Sequence, residues 1–295
     1  MKIYDCTTYY SEDLMLDVRF NILDENVHKF IVVESLFSHS GNKKKLNFDI
    51  NNFRKFKDKI VYLVIENEPE NIDFAYGKDT PSHIKRLNSL KRIEQSYDYM
   101  RKGIAEASDE DLIILSDNDE IPNLKSREFL NCNNDKILIF EQLFFYYKFD
   151  LLYDRMPWYG SKACKKKSLK SFSWLRNLKN KEYPFWRVDA HFTKNKSMYS
   201  HIVKNGGWHF TNVKSAEDLY EKYKNFGHHN EFEDSGITLD IIKKQIADAE
   251  VNYNHSADKT ANDKYSFSYK LKKINTEILP EYLSLNSTKY KKWFS

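Results

Sequence analysis

The sequence predicts an α/β fold in which a mostly parallel central sheet is flanked by helices, with helical additions towards the carboxyl terminus. Apolar, strand-like segments alternate with helical segments over the first 140 residues, a pattern typical of parallel sheets with right-handed crossovers. One apolar run, 112–115, stops abruptly at a cluster of acidic residues. The 295 residues are 41% hydrophobic, which is enough to form a large buried core.

Local patterns support each element expected in the first half. Ser11 is expected to cap a helix over 11–23, whose first turn is acidic and whose Leu14, Val18 and Ile22 share one face. Further helices are expected over 82–107 and 125–130. In the first of these, six residues at helical spacing are expected in the core: Leu87, Leu90, Ile93, Tyr97, Met100 and Ile104. The expected strands are 2–6, 30–34, 59–64, 112–115 and 137–140.

Beyond residue 141 the pattern becomes one of aromatic, strand-like pieces separated by polar, Lys-rich loops. These pieces are expected at 143–149, 185–188 and 208–210. Two helices, at 215–226 and 239–251, each follow a Ser or Thr that can cap them. The tail after residue 252 is polar and gives no clear prediction.

Composition and charge exclude several classes of protein. The net charge of +4 comes from nearly balanced acids and bases, so general nucleic-acid binding is not expected. No window of 18 apolar residues predicts a membrane span. The chain enters a strand at once, with no apolar signal segment, so a cytoplasmic location is expected. The run Lys165–Lys167 predicts a solvated surface, with peripheral membrane association as the alternative. The three cysteines lack metal-ligand spacing and are expected to be reduced thiols.

The acidic motif that follows the run 112–115 predicts a functional site. Asp117, Asp119 and Glu120 fall within four positions, and Pro122 prevents the strand from continuing. Carboxylates at the carboxyl end of a buried parallel strand lie where open α/β sheets bind ligands. Their oxygen atoms suit Mg²⁺ or Mn²⁺, so the motif predicts a divalent ion held against a diphosphate.

Three other interpretations of this motif compete with a sugar-nucleotide site. An EF-hand loop requires a preceding helix and a glycine at the position that Pro122 occupies, so it is excluded. A phosphatase of the haloacid dehalogenase class carries Asp-x-Asp after its first strand, whereas here more than a hundred residues precede it. An acidic turn that only caps the next helix is the structural alternative. A sugar-nucleotide site agrees best with the position of the motif in the chain.

An ordered set of short motifs resembles glycosyltransferase family 17 from about residue 3 to about residue 250. The resemblance rests on Tyr4-Asp5, Val32-Val33-Glu34-Ser35, Ser40-Gly41, Lys45-Leu46-Asn47-Phe48, Ser116-Asp117-Asn118-Asp119-Glu120-Ile121-Pro122, Phe145-Tyr146-Tyr147, Gly206-Gly207-Trp208-His209-Phe210 and a His-x-Glu at His229 and Glu231. Two departures are Gln95-Ser96, where the family has Gln-Arg, and Asn118, where a small apolar residue is commoner.

The resemblance implies a GT-A-type nucleotide-diphospho-sugar transferase fold over 1–252, with a nucleotide-binding half (1–140) and an acceptor half (141–252). Residues 253–295 would form a carboxyl-terminal extension. It also implies inverting transfer of N-acetylglucosamine from UDP-GlcNAc to a glycan hydroxyl, assisted by Mn²⁺ or Mg²⁺. The alternative of a different class is a non-catalytic module that binds a glycan or nucleotide.

The expected metal ligands are Asp117, Asp119 and His209. A divalent ion on these carboxylates would offset the charge that develops on the departing diphosphate. For His209, the alternative is a buried histidine satisfied by a backbone carbonyl.

The expected donor contacts are Glu34, Asp117, Asn118 and Trp208. Glu34 lies at the end of the second strand and is expected to meet uridine or ribose, or else to cap the following loop. Trp208 follows two glycines that permit close backbone approach, and its ring is expected to stack on a sugar.

Inversion in one displacement requires a single general base, for which Asp189 is the first candidate. Asp189 follows the acidic motif and precedes His209, and by analogy this is the order in which inverting enzymes of this fold commonly carry their metal motif, base and histidine ligand. The rivals are Glu120, Asp150 and Glu141. A metal-bound diphosphate needs no second, protonating carboxylate, which favours a transferase over a glycosidase.

Overall fold

Four parallel strands form one half of the central sheet in the computed structural model, which describes residues 1–73, 80–184, 186–187, 192–225, 232, 235–255 and 267–295. The strands are β1 (Ile3–Tyr9), β2 (Lys29–Ser35), β3 (Ile60–Ile65) and β4 (Leu112–Ser116), in the spatial order β3-β2-β1-β4. Their mutual pairings are parallel. The predicted α/β class and these four predicted strands are therefore confirmed.

The other half of the sheet is largely antiparallel. It contains β5 (Glu120–Pro122), β6 (Ile137–Tyr146), β7 (Leu151–Leu152), β8 (Trp158–Lys165) and β9 (Ser200–Thr211). Strand β8 lies antiparallel between β4 and β6, and β5 pairs antiparallel with β9, while β6 and β9 are parallel. The sheet is thus mixed, and the predicted parallel arrangement holds for its first half and, in the second half, for the pair β6 and β9.

The helices of the first half are shorter than the sequence pattern indicated. Helix α1 (Asp13–Leu23) starts after Glu12, and Ser11 does not cap it. Helix α2 (Ser82–Asp98) continues as a 3₁₀ helix to Ile104, and α3 (Arg127–Leu130) is capped by Ser126. Of the six expected core residues, Tyr97, Met100 and Ile104 are buried and Ile93 is half-buried. Leu87 and Leu90 are exposed because the buried side of α2 is instead formed by residues such as Asn88, Ser89 and Arg92.

Three further helices follow in the described part of the chain, and the first of them contacts α2 and β4 as well as β8. They are α4 (Phe172–Asn177), α5 (Ala216–Asn225) and α6 (Leu239–Ala247), of which the last two were predicted. The strand expected over 185–188 includes residues outside the described part of the chain and is not seen at Trp186 and Arg187. No helix of the described residues is long and apolar enough to cross a membrane.

The carboxyl-terminal residues 267–295 pack onto the sheet. They form β11 (Tyr269–Lys270), which pairs with β10 (Glu250–Val251), then β12 (Lys272–Lys273) beside β7, and helix α7 (Glu281–Leu285). Leu279, Leu283 and Tyr290 are buried in the same apolar cluster as α1.

Strand β4 is buried on both faces, and this burial fixes where the acidic motif emerges. Leu112 and Ile114 belong to one apolar cluster and Ile113 and Leu115 to the other, since alternate side chains point to opposite faces. The chain leaves the sheet after Ser116, at the carboxyl edge of the parallel strands.

Candidate active site

The acidic motif forms a turn at the carboxyl edge of the parallel half of the sheet. Asp117, Asn118 and Asp119 line a cleft of about 670 Å³, together with residues at the ends of β1 and β2. This edge is where open α/β sheets bind ligands. The turn leads into β5 and does not cap a helix, because Ser126 caps the next one. The alternative of a purely capping turn is therefore wrong.

Asp117 is held by two side chains from other elements. Its Oδ2 accepts a hydrogen bond of 2.9 Å from Nη2 of Arg176, and its Oδ1 accepts one from the Tyr97 hydroxyl. Burial raises the pKa of Asp117, but the Arg176 charge and the hydrogen bonds more than offset this, and the pKa is lowered. Asp117 is therefore ionised at neutral pH.

Asp119 faces His209. Nε2 of His209 lies 3.5 Å from Oδ1 of Asp119, and the imidazole ring forms a three-ring cluster with Trp158 and Phe144, at centroid distances of 4.4 and 4.8 Å. Burial raises the pKa of Asp119, but the charge and the hydrogen bond of His209 act in the opposite direction. The net result is a pKa lowered to about 2. Nδ1 of His209 is buried and has no hydrogen-bond partner among the described residues, so the alternative of a carbonyl-satisfied histidine is not seen.

Glu120 points into the protein and not into the cleft. Its Oε2 accepts a hydrogen bond of 2.9 Å from the backbone N–H of Asp117, and its Oε1 accepts one of 2.7 Å from Nε1 of Trp158. The residue is 5% exposed. Burial and the neighbouring Asp117 charge raise the pKa of Glu120 to about 7. Glu120 thus stabilises the turn from the side away from the cleft, by accepting a hydrogen bond from the Asp117 backbone.

Arg19 supports the same turn from below, a contact that the sequence did not reveal. It forms a buried ion pair with Asp5, with Nε 2.6 Å from Oδ2, and its Nη1 donates to the carbonyl oxygen atoms of Glu120 and Asp117. The only sequence signal is an arginine between the apolar Val18 and Phe20 of α1.

A second, smaller pocket of about 110 Å³ adjoins the cleft. The two share Glu12, Asn118, Asp119 and Lys222. Trp293 also lines the smaller pocket. The acidic turn therefore separates two spaces of unequal size.

The donor atoms at the turn suit a divalent ion completed by its substrate. Within the described part of the chain, no group of three or more His, Cys, Asp or Glu side chains converges as a metal site. Asp119 and His209 nevertheless offer a carboxylate oxygen and an imidazole nitrogen to one point. This pair fits Mn²⁺, and Mg²⁺ also commonly takes one or two carboxylates with the remaining ligands from phosphates and water.

Two of the expected donor contacts face away from the cleft. Glu34 is fully buried and accepts hydrogen bonds from the backbone N–H groups of Asn47 (2.9 Å) and Phe48 (3.1 Å) and from the Tyr62 hydroxyl (2.8 Å), so it caps the following loop. Trp208 is buried, and its Nε1 donates to the carbonyl of Ile278 at 2.7 Å. This placement gives no support to the expected stacking of Trp208 on a sugar.

The candidate bases are scattered. Asp150 is buried and accepts hydrogen bonds from the backbone N–H (2.9 Å) and Oγ (2.8 Å) of Ser295. Glu141 accepts hydrogen bonds from Lys204 and Tyr159. Asp189 lies outside the described residues, as do His229 and Glu231. The order of these residues along the chain therefore stays the basis for the choice of Asp189.

Four basic residues of the cleft are not among the expected donor contacts. Lys44, Arg86, Arg176 and Lys222 line it alongside Glu12, Glu94, Asp117 and Asp119, so the formal charges of its lining balance, with histidine counted as neutral. The four bases come from separate elements, and no short motif links them.

One of the comparisons with known proteins identifies a family. The family model described as Glycosyltransferase family 17 matches residues 1–178. That range includes the acidic turn and Arg176 and ends before His209. A search of curated proteins finds no match to the chain.

Proposed function

The chain belongs to glycosyltransferase family 17 and is a glycosyltransferase, and we propose that it transfers N-acetylglucosamine from UDP-GlcNAc to a glycan hydroxyl with inversion, assisted by Mn²⁺ or Mg²⁺. The observation that carries the proposal is the acidic turn at the mouth of the cleft, with Asp119 and His209 side by side. A cleft at the carboxyl edge of a parallel sheet is the expected place for a nucleotide.

The charge of the cleft supports the use of a divalent ion. Its four basic and four acidic lining residues cancel, so they leave the negative charge of a diphosphate largely uncompensated. Asp119 and His209 would hold the ion, which when bound supplies positive charge to the leaving diphosphate. Asp117 is ionised and faces the same space, where it can contact the ion or the ribose.

The acceptor is proposed to approach from the smaller pocket. That pocket meets the cleft at Asp119 and Asn118, beside the place proposed for the diphosphate. Its lining combines the Trp293 ring with polar side chains such as Asp218, a combination that suits the apolar face and the hydroxyls of a sugar.

Asp189 remains the proposed general base. Glu120 is less suited, since it is buried and both of its carboxylate oxygen atoms accept hydrogen bonds. Asp150 is engaged by Ser295 in the same way. No general acid is required, because UDP leaves as an anion.

The test is UDP release from a panel of UDP-sugars, with and without Mn²⁺, for the wild type and Asp119→Asn. We expect slow hydrolysis of UDP-GlcNAc that depends on the metal and falls at least about 100-fold in the variant, the range expected for loss of one charge-stabilising group. Asp109→Asn is the matched control, since it removes an exposed carboxylate at the other end of β4 and should change nothing.

Calorimetry separates the competing outcomes. A non-catalytic binding module would bind UDP without releasing it from any donor. If the wild type neither hydrolyses a UDP-sugar nor binds UDP in the presence of Mn²⁺, the proposed function is wrong.

A further inference from the structure

The side chain of Arg176 reaches the cleft from the short helix α4. Its Nη2 donates to Asp117 at 2.9 Å, and its guanidinium group lies over the Tyr97 ring, 4.9 Å from the centroid. The side chain is 43% exposed and lines the cleft. No other hydrogen bond of this guanidinium is found within the described part of the chain. Since a guanidinium carries five N–H donors, Arg176 has donors available to a ligand in the cleft.

The backbone around Arg176 is held by hydrogen bonds to Lys162 and Asp98, two residues that do not line the cleft. Nζ of Lys162, a residue only 4% exposed, donates to the carbonyl oxygen atoms of Arg176 (2.7 Å) and Leu178 (2.6 Å), at the end of α4. At the start of α4, the backbone N–H of Ser173 donates to Asp98 of α2 at 2.9 Å. Because these hydrogen bonds come from a buried charged group, they fix the end of α4, and with it Arg176, relative to β8.

We propose that Arg176 binds the diphosphate of the nucleotide donor, by moving part of its hydrogen bonding from Asp117 to the phosphate oxygen atoms. This inference rests on the proposed function and names the residue that recognises the anionic part of the donor. A guanidinium group matches phosphate with parallel hydrogen bonds, and the Tyr97 ring supports its plane. Asp117 holds the guanidinium at the cleft in the absence of a ligand.

The affinities of UDP and uridine test the proposal, because these probes differ only in the diphosphate. Calorimetry in Mn²⁺ would compare the wild type with Arg176→Met and Arg176→Lys. We expect the Kd for UDP to rise about ten- to a hundredfold in Arg176→Met, which corresponds to the loss of a hydrogen bond to a charged group, and to rise less in Arg176→Lys. The Kd for uridine should change less than about threefold. Arg127→Met removes an exposed arginine of α3 and is the matched control.

A second comparison tests whether weaker UDP binding comes only from breaking the ion pair between Arg176 and Asp117. Arg176→Met leaves Asp117 without its counter-ion, so a merely structural arginine could also weaken UDP binding. In the Asp117→Asn background that counter-ion is no longer needed. We expect Asp117→Asn/Arg176→Met to bind UDP at least about tenfold more weakly than Asp117→Asn, with the thermal unfolding of each variant as the check on folding.

The outcomes are distinguishable. Equal affinities of the double variant and Asp117→Asn for UDP, or equal losses of UDP and uridine in Arg176→Met, would overturn the role of Arg176. Either result leaves the proposed function intact, provided that the wild type binds UDP. Absence of UDP binding to the wild type would instead remove the proposed function, and this inference with it.

Discussion

Replacing Gly160 by alanine should disturb the acidic turn from the side opposite the cleft. Gly160 lies in β8 behind Glu120, and a Cβ atom there would lie 2.3 Å from Cδ, 2.4 Å from Oε1 and 2.7 Å from Oε2 of Glu120. These distances are far inside van der Waals contact. Glu120 cannot move away without losing its bonds to the Asp117 N–H and the Trp158 indole.

The expected cost of Gly160→Ala follows from these contacts. Overpacking of a buried site costs about 1–3 kcal/mol. Loss of one of the two hydrogen bonds to Glu120 adds about 1.5–3 kcal/mol, since the acceptor is a carboxylate. Alanine in place of glycine returns about 0.4–1 kcal/mol by restricting the unfolded chain. The free energy of unfolding should therefore fall by about 1.5–5.6 kcal/mol, and UDP binding should weaken because the Asp117 backbone loses its hydrogen bond to Glu120.

A double-mutant cycle in urea identifies the clash. In a Glu120→Ala background the carboxylate is absent, so the new methyl group enters vacated space. We expect Gly160→Ala to cost at least about 2 kcal/mol less there than in the wild type. An equal cost in both backgrounds, at unchanged denaturant dependence, would show that Glu120 does not occupy the space behind Gly160.

Three further predictions concern groups outside the cleft. Lys162→Met should lower the free energy of unfolding by about 2 kcal/mol, because two backbone carbonyls lose their donor. If Lys162 positions Arg176, the variant should also lose more affinity for UDP than for uridine, and equal losses would contradict that role. Burial lowers the pKa of His255 to about 4, below its unfolded value near 6.5, so the stability contributed by its neutral form is present above pH 6.5 and is lost as the pH falls to 4. Urea unfolding across that range should show a loss of up to about 3 kcal/mol that His255→Gln abolishes, and a loss unchanged in that variant would assign it to other groups. Asp150→Asn should destabilise the protein by about 1–2 kcal/mol through Ser295 while leaving UDP-sugar hydrolysis unchanged, whereas a 100-fold loss of rate would restore Asp150 as a catalytic residue.

The parallel half of the fold could be predicted because its signals are local. Each of its strands is a short apolar run, and the run 112–115 is buried on both faces as a parallel strand requires. The other half was predicted only in pieces, because β6 has irregular register with both of its long neighbours and its pattern is therefore interrupted. Strand β9 shows this: only 208–210 was expected, because Gly206 and Gly207 resemble a break in the strand. In the structure the strand runs from Ser200 through both glycines, and Gly207 adopts a φ of 134° where a Cβ would lie 2.1 Å from the Ile121 carbonyl oxygen.

In the site, too, the residues that are neighbours in sequence could be predicted and those joined only by packing could not. Asp117 and Asp119 are neighbours in sequence, so their shared location was evident. Arg176 lies 59 residues from Asp117, and only the packing of α4 against the sheet brings the two together. Glu34 and Trp208 occupy promising sequence positions, but their polar atoms are satisfied inside the protein.

The three acids of the turn are alike in sequence, yet their surroundings divide them. Asp117 and Asp119 face the cleft, where contacts with Arg176 and with His209, respectively, hold the pKa of each carboxyl below its usual value. Glu120 is turned inwards, where burial raises its pKa to about 7 and it supports the Asp117 backbone. The lining of the cleft carries as many basic as acidic side chains, with histidine counted as neutral. In the proposed function, a diphosphate would therefore enter together with a divalent ion by exchange of partners: Arg176 would turn towards the phosphates and the carboxylates towards the ion. Such an exchange would keep the charge balanced in both states, and it would account for a donor site that is lined by as many acids as bases.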